Sequence, residues 1–132
     1  QNYYSKSMYL IDSDILIDYL RLHKPAIEFL DNLSEKERNI ALITHFELVK
    51  GCQKKLHESR VFQFIKNFKT IPLSSEVSVK ALKLYRTHKW GSNLGIPDAL
   101  IAASALLNKL TLVTRNIKHF RTIPALKIEK PY

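Results

Sequence analysis

Apolar residues in this chain come in short runs, each followed by apolar positions at helical spacing. Met8-Tyr9-Leu10-Ile11 predicts a short buried strand that runs into a helix from Ser13 to Leu22, with Ile15, Leu16, Tyr19, Leu20 and Leu22 on its apolar side. Pro25 opens a second helix through Ala26, Ile27, Phe29, Leu30 and Leu33, before a charged turn from Ser34 to Arg38. Ile40 to Ile43 predicts the second strand. Thr44 then reads as an N-cap with Glu47 as its capping-box partner, and the helix runs towards Cys52 or Leu56. Val61, Phe62, Ile65 and Phe68 make the next helical face, Ile71-Pro72-Leu73 a short strand or edge, and Ser74 the cap of a helix carrying Val77, Ala81, Leu82 and Tyr85. Lys89 to Ile96, with Gly91, Ser92, Asn93 and Gly95, is a loop. Pro97 to Leu107 is apolar almost all round and rich in small residues, which predicts a central helix pressed against a sheet. Leu110 to Thr114 is the fourth strand, and Leu126-Lys127-Ile128 a fifth at the edge. This alternation predicts the α/β class: a parallel sheet with helices on both faces.

Length adds that residues 8–132 make a single domain with a conventional core. Met8, the only methionine, is a candidate original start, in which case Gln1 to Ser7 are an extension or an added remnant. Cys52 is the only cysteine, so no internal disulfide forms, and no apolar run approaches the roughly 20 residues of a membrane span. With no secretory signal at the start, the cytoplasm is the expected compartment. Lysine and arginine total 21 against 12 acids, a net charge of +9 that points to a polyanionic partner.

The chemistry sits in the acids. Asp12, Glu47 and Asp98 are about 35 and 50 positions apart, and each falls where an apolar run ends or a helix begins. Taken singly, each has a structural explanation: Asp12 as a helix cap, Glu47 as the partner of Thr44, Asp98 as a complement to a helix dipole. Taken together, they converge at the carboxyl edge of a parallel sheet, where carboxylates repel unless a cation binds between them. Mg²⁺ or Mn²⁺ suits such oxygen ligands, and that combination cleaves phosphodiesters. Asp14 is either a further site acid or a solvated residue of the first helical turn, the second reading being preferred. His45 and His119 lack the spacing of a zinc set. Phe62, Phe64 and Phe68 read as core or dimer surface before a base-stacking platform.

From Met8 onward the chain resembles the PIN-domain family, in particular VapC-like toxins of toxin–antitoxin pairs. The likeness is carried by Tyr9-Leu10-Ile11-Asp12-Ser13-Asp14-Ile15-Leu16-Ile17-Asp18, by Thr44-His45-Phe46-Glu47-Leu48-Val49-Lys50-Gly51, by Ile96-Pro97-Asp98-Ala99-Leu100-Ile101-Ala102-Ala103, and by Leu112-Val113-Thr114-Arg115-Asn116-Ile117-Lys118-His119-Phe120. The resemblance implies a three-layer α/β/α sandwich with a small parallel sheet and Mg²⁺- or Mn²⁺-dependent ribonuclease activity. It makes Asp12, Glu47 and Asp98 the metal-binding acids. The fourth motif carries Asn116 where the family often has an acid, and His119 where another can occur; Asn116 joins the candidate catalytic set with one charge fewer. Ser13, Thr114, Arg115 and Lys118 are candidate substrate contacts, Arg115 and Lys118 equally readable as ordinary surface. Expected partners are RNA, a cognate antitoxin that shields the acids, and a second copy of the chain in a homodimer.

Two other readings stand beside this one. Asp12-Ser13-Asp14 after a strand also resembles the Asp-x-Asp of haloacid-dehalogenase-like phosphatases, with Asp12 as nucleophile. Against it, the region after the fourth strand offers only Asn116 in place of the acidic pair such enzymes need. The other is a PIN-like module that binds RNA or protein without turnover.

Overall fold

Five short strands, β1 (Tyr9–Ile11), β2 (Arg38–Ala41), β3 (Lys69–Ile71), β4 (Thr111–Val113) and β5 (Ile128–Glu129), form one parallel sheet in the order β3-β2-β1-β4-β5. The computed structural model describes residues 8–132; the extension read at Gln1 to Ser7 lies outside the described residues. Helices α1 (Ser13–Leu20) and α2 (Lys24–Asp31) join β1 to β2. Helices α3 (Leu42–Lys50) and α4 (Lys55–Ile65) lead to β3, α5 (Ser75–His88) and α6 (Ile96–Leu107) to β4, and α7 (Ile117–Phe120) towards β5. The expected α/β/α sandwich is the observed architecture.

The layers follow from strand alternation. Successive side chains point to opposite faces of a sheet, so Leu10, Ala41, Ile71 and Leu112 pack with α5 and α6, while Ile11, Ile40 and Val113 pack with α1 to α4. Both faces are covered, which is why the strands read as apolar runs instead of alternating ones. Helix α6 buries Ala99, Ala102, Ala103 and Ala105 at 1% exposure or less, and these short side chains let it seat closely between the sheet and α5. Its end is a Schellman turn: Leu110 N–H donates to Ala105 O at 2.9 Å and Lys109 N–H to Leu106 O at 3.4 Å, with Lys109 at φ 54° in the left-handed region. That turn feeds the chain directly into β4.

Boundaries differ from the sequence reading most at the second strand. The run Ile40 to Ile43 was expected to be all strand, with Thr44 capping the helix; instead β2 ends at Ala41 and α3 begins at Leu42 with Ala41 as its N-cap. Thr44 is therefore inside the helix, fully buried, its hydroxyl oxygen without a hydrogen bond. Four apolar residues fit either periodicity, and the helix claims the last two. The helix read as running towards Cys52 or Leu56 ends at Lys50, Leu56 falls in α4, and Phe68 lies past the end of α4 at Ile65; the strand shifts are of a residue or two, with β3 at Lys69–Ile71 and β5 at Ile128–Glu129, an edge strand as expected. Ser74 caps α5 as read, accepting from Val77 N–H at 3.1 Å.

Because Ala102 is wholly enclosed, Ala102→Leu should lower stability by about 1–3 kcal/mol through overpacking. Urea unfolding followed by circular dichroism would register this as a lower midpoint; an unchanged midpoint would mean that α6 is not seated as tightly as described.

Candidate active site

The site begins with one backbone contact. Ile11 pairs with Val113, and Asp12 N–H donates to Val113 O at 2.9 Å, so β1 and β4 deliver Asp12 and Thr114 side by side. This is where strand order reverses direction across the sheet, the crevice in which open α/β sheets bind ligands. The Thr114 hydroxyl donates to Asp12 Oδ2 at 2.8 Å and Ser13 N–H donates to Asp12 Oδ1 at 2.8 Å. Asn116 N–H in turn donates to Thr114 Oγ1 at 3.0 Å, holding the hydroxyl in place. Asp12 is thus both the N-cap of α1 and a buried site acid.

Asp14 and Glu47 act on it electrostatically, and Asp98 acts on Glu47. Asp14, one position into the first turn of α1, accepts from Arg115 N–H at 2.9 Å through Oδ2, while its Oδ1 is buried without a partner. Asp14 is therefore half-buried and acts on Asp12, which corrects the solvated first-turn reading: the backbone of Arg115 in the β4–α7 turn holds it. Glu47, in the middle of α3, has a buried Oε1 likewise without a partner. Its position three residues after Thr44 reflects a shared helix and not a capping box. Asp98 stands in the first turn of α6, where Oδ2 accepts from Gly95 N–H at 2.9 Å and lies 3.5 Å from His119 Nδ1.

The electrostatics follow from this crowding. Burial and, next, the neighbouring Asp14 push Asp12 up to about 7, against the opposing hydrogen bonds from Thr114 and Ser13. Burial raises Asp14. Burial and then Asp98 raise Glu47, which also feels Asp14, with the Ser13 hydroxyl opposing. Glu47 is the acid electrostatically linked to all three others.

Such a set fits a hard divalent cation. The donors are carboxylate oxygens, two of them buried and unpartnered, and the mutual repulsion is the kind that a cation relieves. Among the described residues no group of three or more acid, histidine or cysteine side chains is close enough together to hold a metal ion as it stands. An open set of acids suits Mg²⁺, which keeps several waters and uses only a few carboxylates.

The remaining candidates divide. Ser13 and Thr114 belong to the site through the bonds above. The Asn116 side chain is exposed, and its backbone N–H is what serves the site. Lys118 is exposed on α7, whereas Arg115 is engaged: Nη1 lies 3.1 Å from Asp18 Oδ2 and its guanidinium stacks 5.4 Å over the Tyr132 ring. Tyr132 OH donates to the same Asp18 oxygen at 2.7 Å. Asp18 and Tyr132, which the sequence reading did not single out as site residues, thereby hold the Arg115 turn whose N–H fixes Asp14; the only sequence signal was Asp18 one helical turn after Asp14. His45 faces Thr70, with Nε2 and Oγ1 3.0 Å apart. Phe68 is buried and Phe64 stacks on Tyr19, so these two are packing residues as expected, while Phe62 is exposed.

A carboxyl with a folded pKa near 7, above the ordinary 3.8, keeps its proton in the folded chain where the unfolded chain has lost it. Its contribution to stability in metal-free protein is therefore full below about pH 4 and lost as pH rises towards 7. Asp12→Asn removes the buried charge, so in EDTA it should raise the melting temperature at neutral pH by an amount worth a few kcal/mol and flatten this pH dependence. Differential scanning calorimetry of both proteins across that range is the check; a variant no more stable than wild type at pH 7 would contradict the burial penalty.

Comparison with known proteins agrees with this geometry. The PIN domain family model matches residues 9–126. Ribonuclease VapC10 of Mycobacterium tuberculosis is 30% identical over 122 residues, covering 91% of each chain. The tRNA(fMet)-specific endonuclease VapC of Salmonella typhimurium is 25% identical over 126 residues, covering 92% of this chain and 96% of that one. Among solved structures, a toxin-antitoxin complex from Klebsiella pneumoniae superposes with a TM-score of 0.79 at 33% identity, covering 94% of this chain and 98% of that chain. VapBC2 from Rickettsia felis, bound to a DNA fragment from its promoter, gives 0.77 at 26% identity, covering 92% and 97%. With its acids at the switch point of a five-stranded parallel sheet and a family match across most of its length, the chain belongs to the PIN-domain family, among its VapC-like members.

Proposed function

We propose that this protein is a Mg²⁺- or Mn²⁺-dependent endoribonuclease and the toxin of a toxin–antitoxin pair, acting in the cytoplasm. The observation that carries the reading is the convergence of Asp12, Asp14, Glu47 and Asp98 at one sheet edge, two of their oxygens buried and unpartnered, in a chain of net charge +9. The ribonuclease and endonuclease names of the relatives support the same chemistry. Asp12, Glu47 and Asp98 would hold the cation, with Asp14 supplying the charge that Asn116 lacks. When bound, the cation activates water and offsets charge on the phosphate in the transition state.

The chain's own residues position and steer. Thr114 and the Ser13 N–H orient Asp12, the Arg115 N–H orients Asp14, and the Gly95 N–H orients Asp98. With Arg115 paired to Asp18, Lys118 is the freer of the two candidate phosphate contacts: among the described residues it makes no ion pair. A groove of about 460 Å³ between α1, α3 and α4 opens at Glu47, with Ile17, Leu20, Leu48 and Val61 in its wall and Arg21 and Arg60 beside them. It offers an antitoxin segment a seat from which to shield the acids, and the toxin–antitoxin complexes among the structural neighbours support such a partner. Exposed Val79 and Leu82 on α5 offer helix surface for a homodimer. Among the described residues no helix is long and apolar enough to cross a membrane.

Purified protein should cut total RNA into discrete fragments in Mn²⁺ or Mg²⁺ and not in EDTA. Asp98→Asn, which retains an acceptor for Gly95 N–H, should lose about 10²–10⁴-fold in rate. The same metal should raise the melting temperature of wild type and much less that of Asp98→Asn, a readout independent of turnover. Intact RNA from a folded protein that binds metal would favour the module without turnover; full cleavage by Asp98→Asn would remove Asp98 from the mechanism.

A further inference from the structure

Trp90, the chain's only tryptophan, is 82% exposed at the end of α5. Tryptophan is heavily buried on average, so a ring set out in solvent calls for a physical account. Lys89 places its ammonium 4.3 Å from the ring centroid. Together they border a hollow of about 420 Å³, lined further by Gly91, Ser92 and Asn93 on the loop and by Lys118, Arg121 and Thr122 at and after α7.

The floor of this hollow is anchored. Ser92 Oγ donates to His88 O at 2.6 Å, Ser92 N–H donates to the same oxygen at 3.2 Å, and Thr122 Oγ1 lies 3.4 Å from His88 Nδ1. The loop therefore starts from a fixed helix end and finishes at Gly95, whose N–H holds the Asp98 carboxylate.

Lys118 also lines a second hollow, with Arg115, Asn116, His119 and Lys130 around it. The two hollows share that lysine and run from the edge of the acid cluster outward to Trp90. No aspartate or glutamate among the described residues lines either one. A path with cations of one sign along it and an open aromatic face at its end has the two elements of single-strand recognition: backbone phosphates on lysine and arginine, and a base on the ring.

We propose that Trp90, Lys89, Lys118 and Arg121 form a subsite for single-stranded RNA, in which one unpaired base stacks on Trp90 while Lys118 and Arg121 hold the phosphates between it and the acids. The proposal rests on the ribonuclease reading for the direction in which the strand runs. RNA is favoured over an acidic protein segment because the cations continue from Trp90 to Arg115 and His119 beside the acids, and the flat Trp90 ring, with Lys89 over it, is 82% exposed. Stacking does not depend on sequence, so this subsite favours unpaired loops and ends over duplex.

The test uses the full-length protein in EDTA, which separates binding from cleavage, and a fluorescein-labelled single-stranded oligoribonucleotide of about 12 residues. Trp90 emission should be quenched as RNA is added. Trp90→Ala should bind about 5- to 100-fold more weakly, and Trp90→Phe should recover most of the loss. Lys118→Ala with Arg121→Ala should make the dependence of log affinity on log salt shallower by about 1.4, the share of two single-strand phosphate contacts. The melting temperatures of all variants should stay at the wild-type value, because these side chains are exposed.

Unquenched emission with unchanged affinity in Trp90→Ala would overturn the subsite. So would a wild-type protein that binds no RNA, or a Trp90→Ala variant that keeps RNA affinity while losing a co-expressed protein partner. Cleavage of the same RNA in Mn²⁺ keeps the two readings apart: cleavage by wild type with no role for Trp90 removes the subsite alone, whereas Trp90-dependent binding without cleavage removes turnover and leaves the subsite standing.

Discussion

The carboxylate of Asp12 is 6% exposed at the end of a strand, with other acids turned towards it, and the surrounding structure is organised around that cost. A buried carboxylate with like charges beside it favours its protonated form. It is held here by the β1–β4 pairing, which sets Asp12 beside Thr114. Thr114 and the Ser13 N–H satisfy one oxygen each, and the packing of Ile11 and Val113 against α1 to α4 keeps the two strand ends together. Crowding these carboxylates lowers the stability of the metal-free fold, a trade common at functional centres.

From that contact outward, each shell holds the next. Asn116 N–H holds Thr114, Arg115 N–H holds Asp14, and Asp18 with Tyr132 holds Arg115. The guanidinium read in the sequence as a candidate substrate contact is paired in three dimensions with Asp18 and Tyr132 and braces this turn. Positive charge available to a polyanion lies further along, at Lys118, Arg121, Lys89 and Lys130, in hollows that share no residue with the Glu47 groove.

Legibility in the sequence varied with the range of the interaction. The β1 run followed by Asp12, the Ser74 cap and the small-residue face of α6 were readable because each depends on neighbours within a turn or a strand. Thr44 was misread because a four-residue apolar run satisfies both periodicities, and only packing on both sides of the sheet assigns Leu42 and Ile43 to the helix. Asp14 was misread for a different reason. An acid in a first helical turn is normally solvated, and the N–H that holds this one comes from Arg115, 101 positions away.

By itself, then, the sequence determined the alternation of strand and helix, the basic surplus, and the three acids at run ends, because periodicity, charge and chain order are written locally. Tertiary structure decided that Asp14 joins them, that Asn116 contributes a backbone donor in place of a carboxylate, that Arg115 is tied down while Lys118 is not, and that Trp90 stands open beside the cations. Those outcomes depend on contacts between segments tens of residues apart. Burial and hydrogen bonding across such contacts are fixed by how the sheet edge closes, which no local pattern encodes.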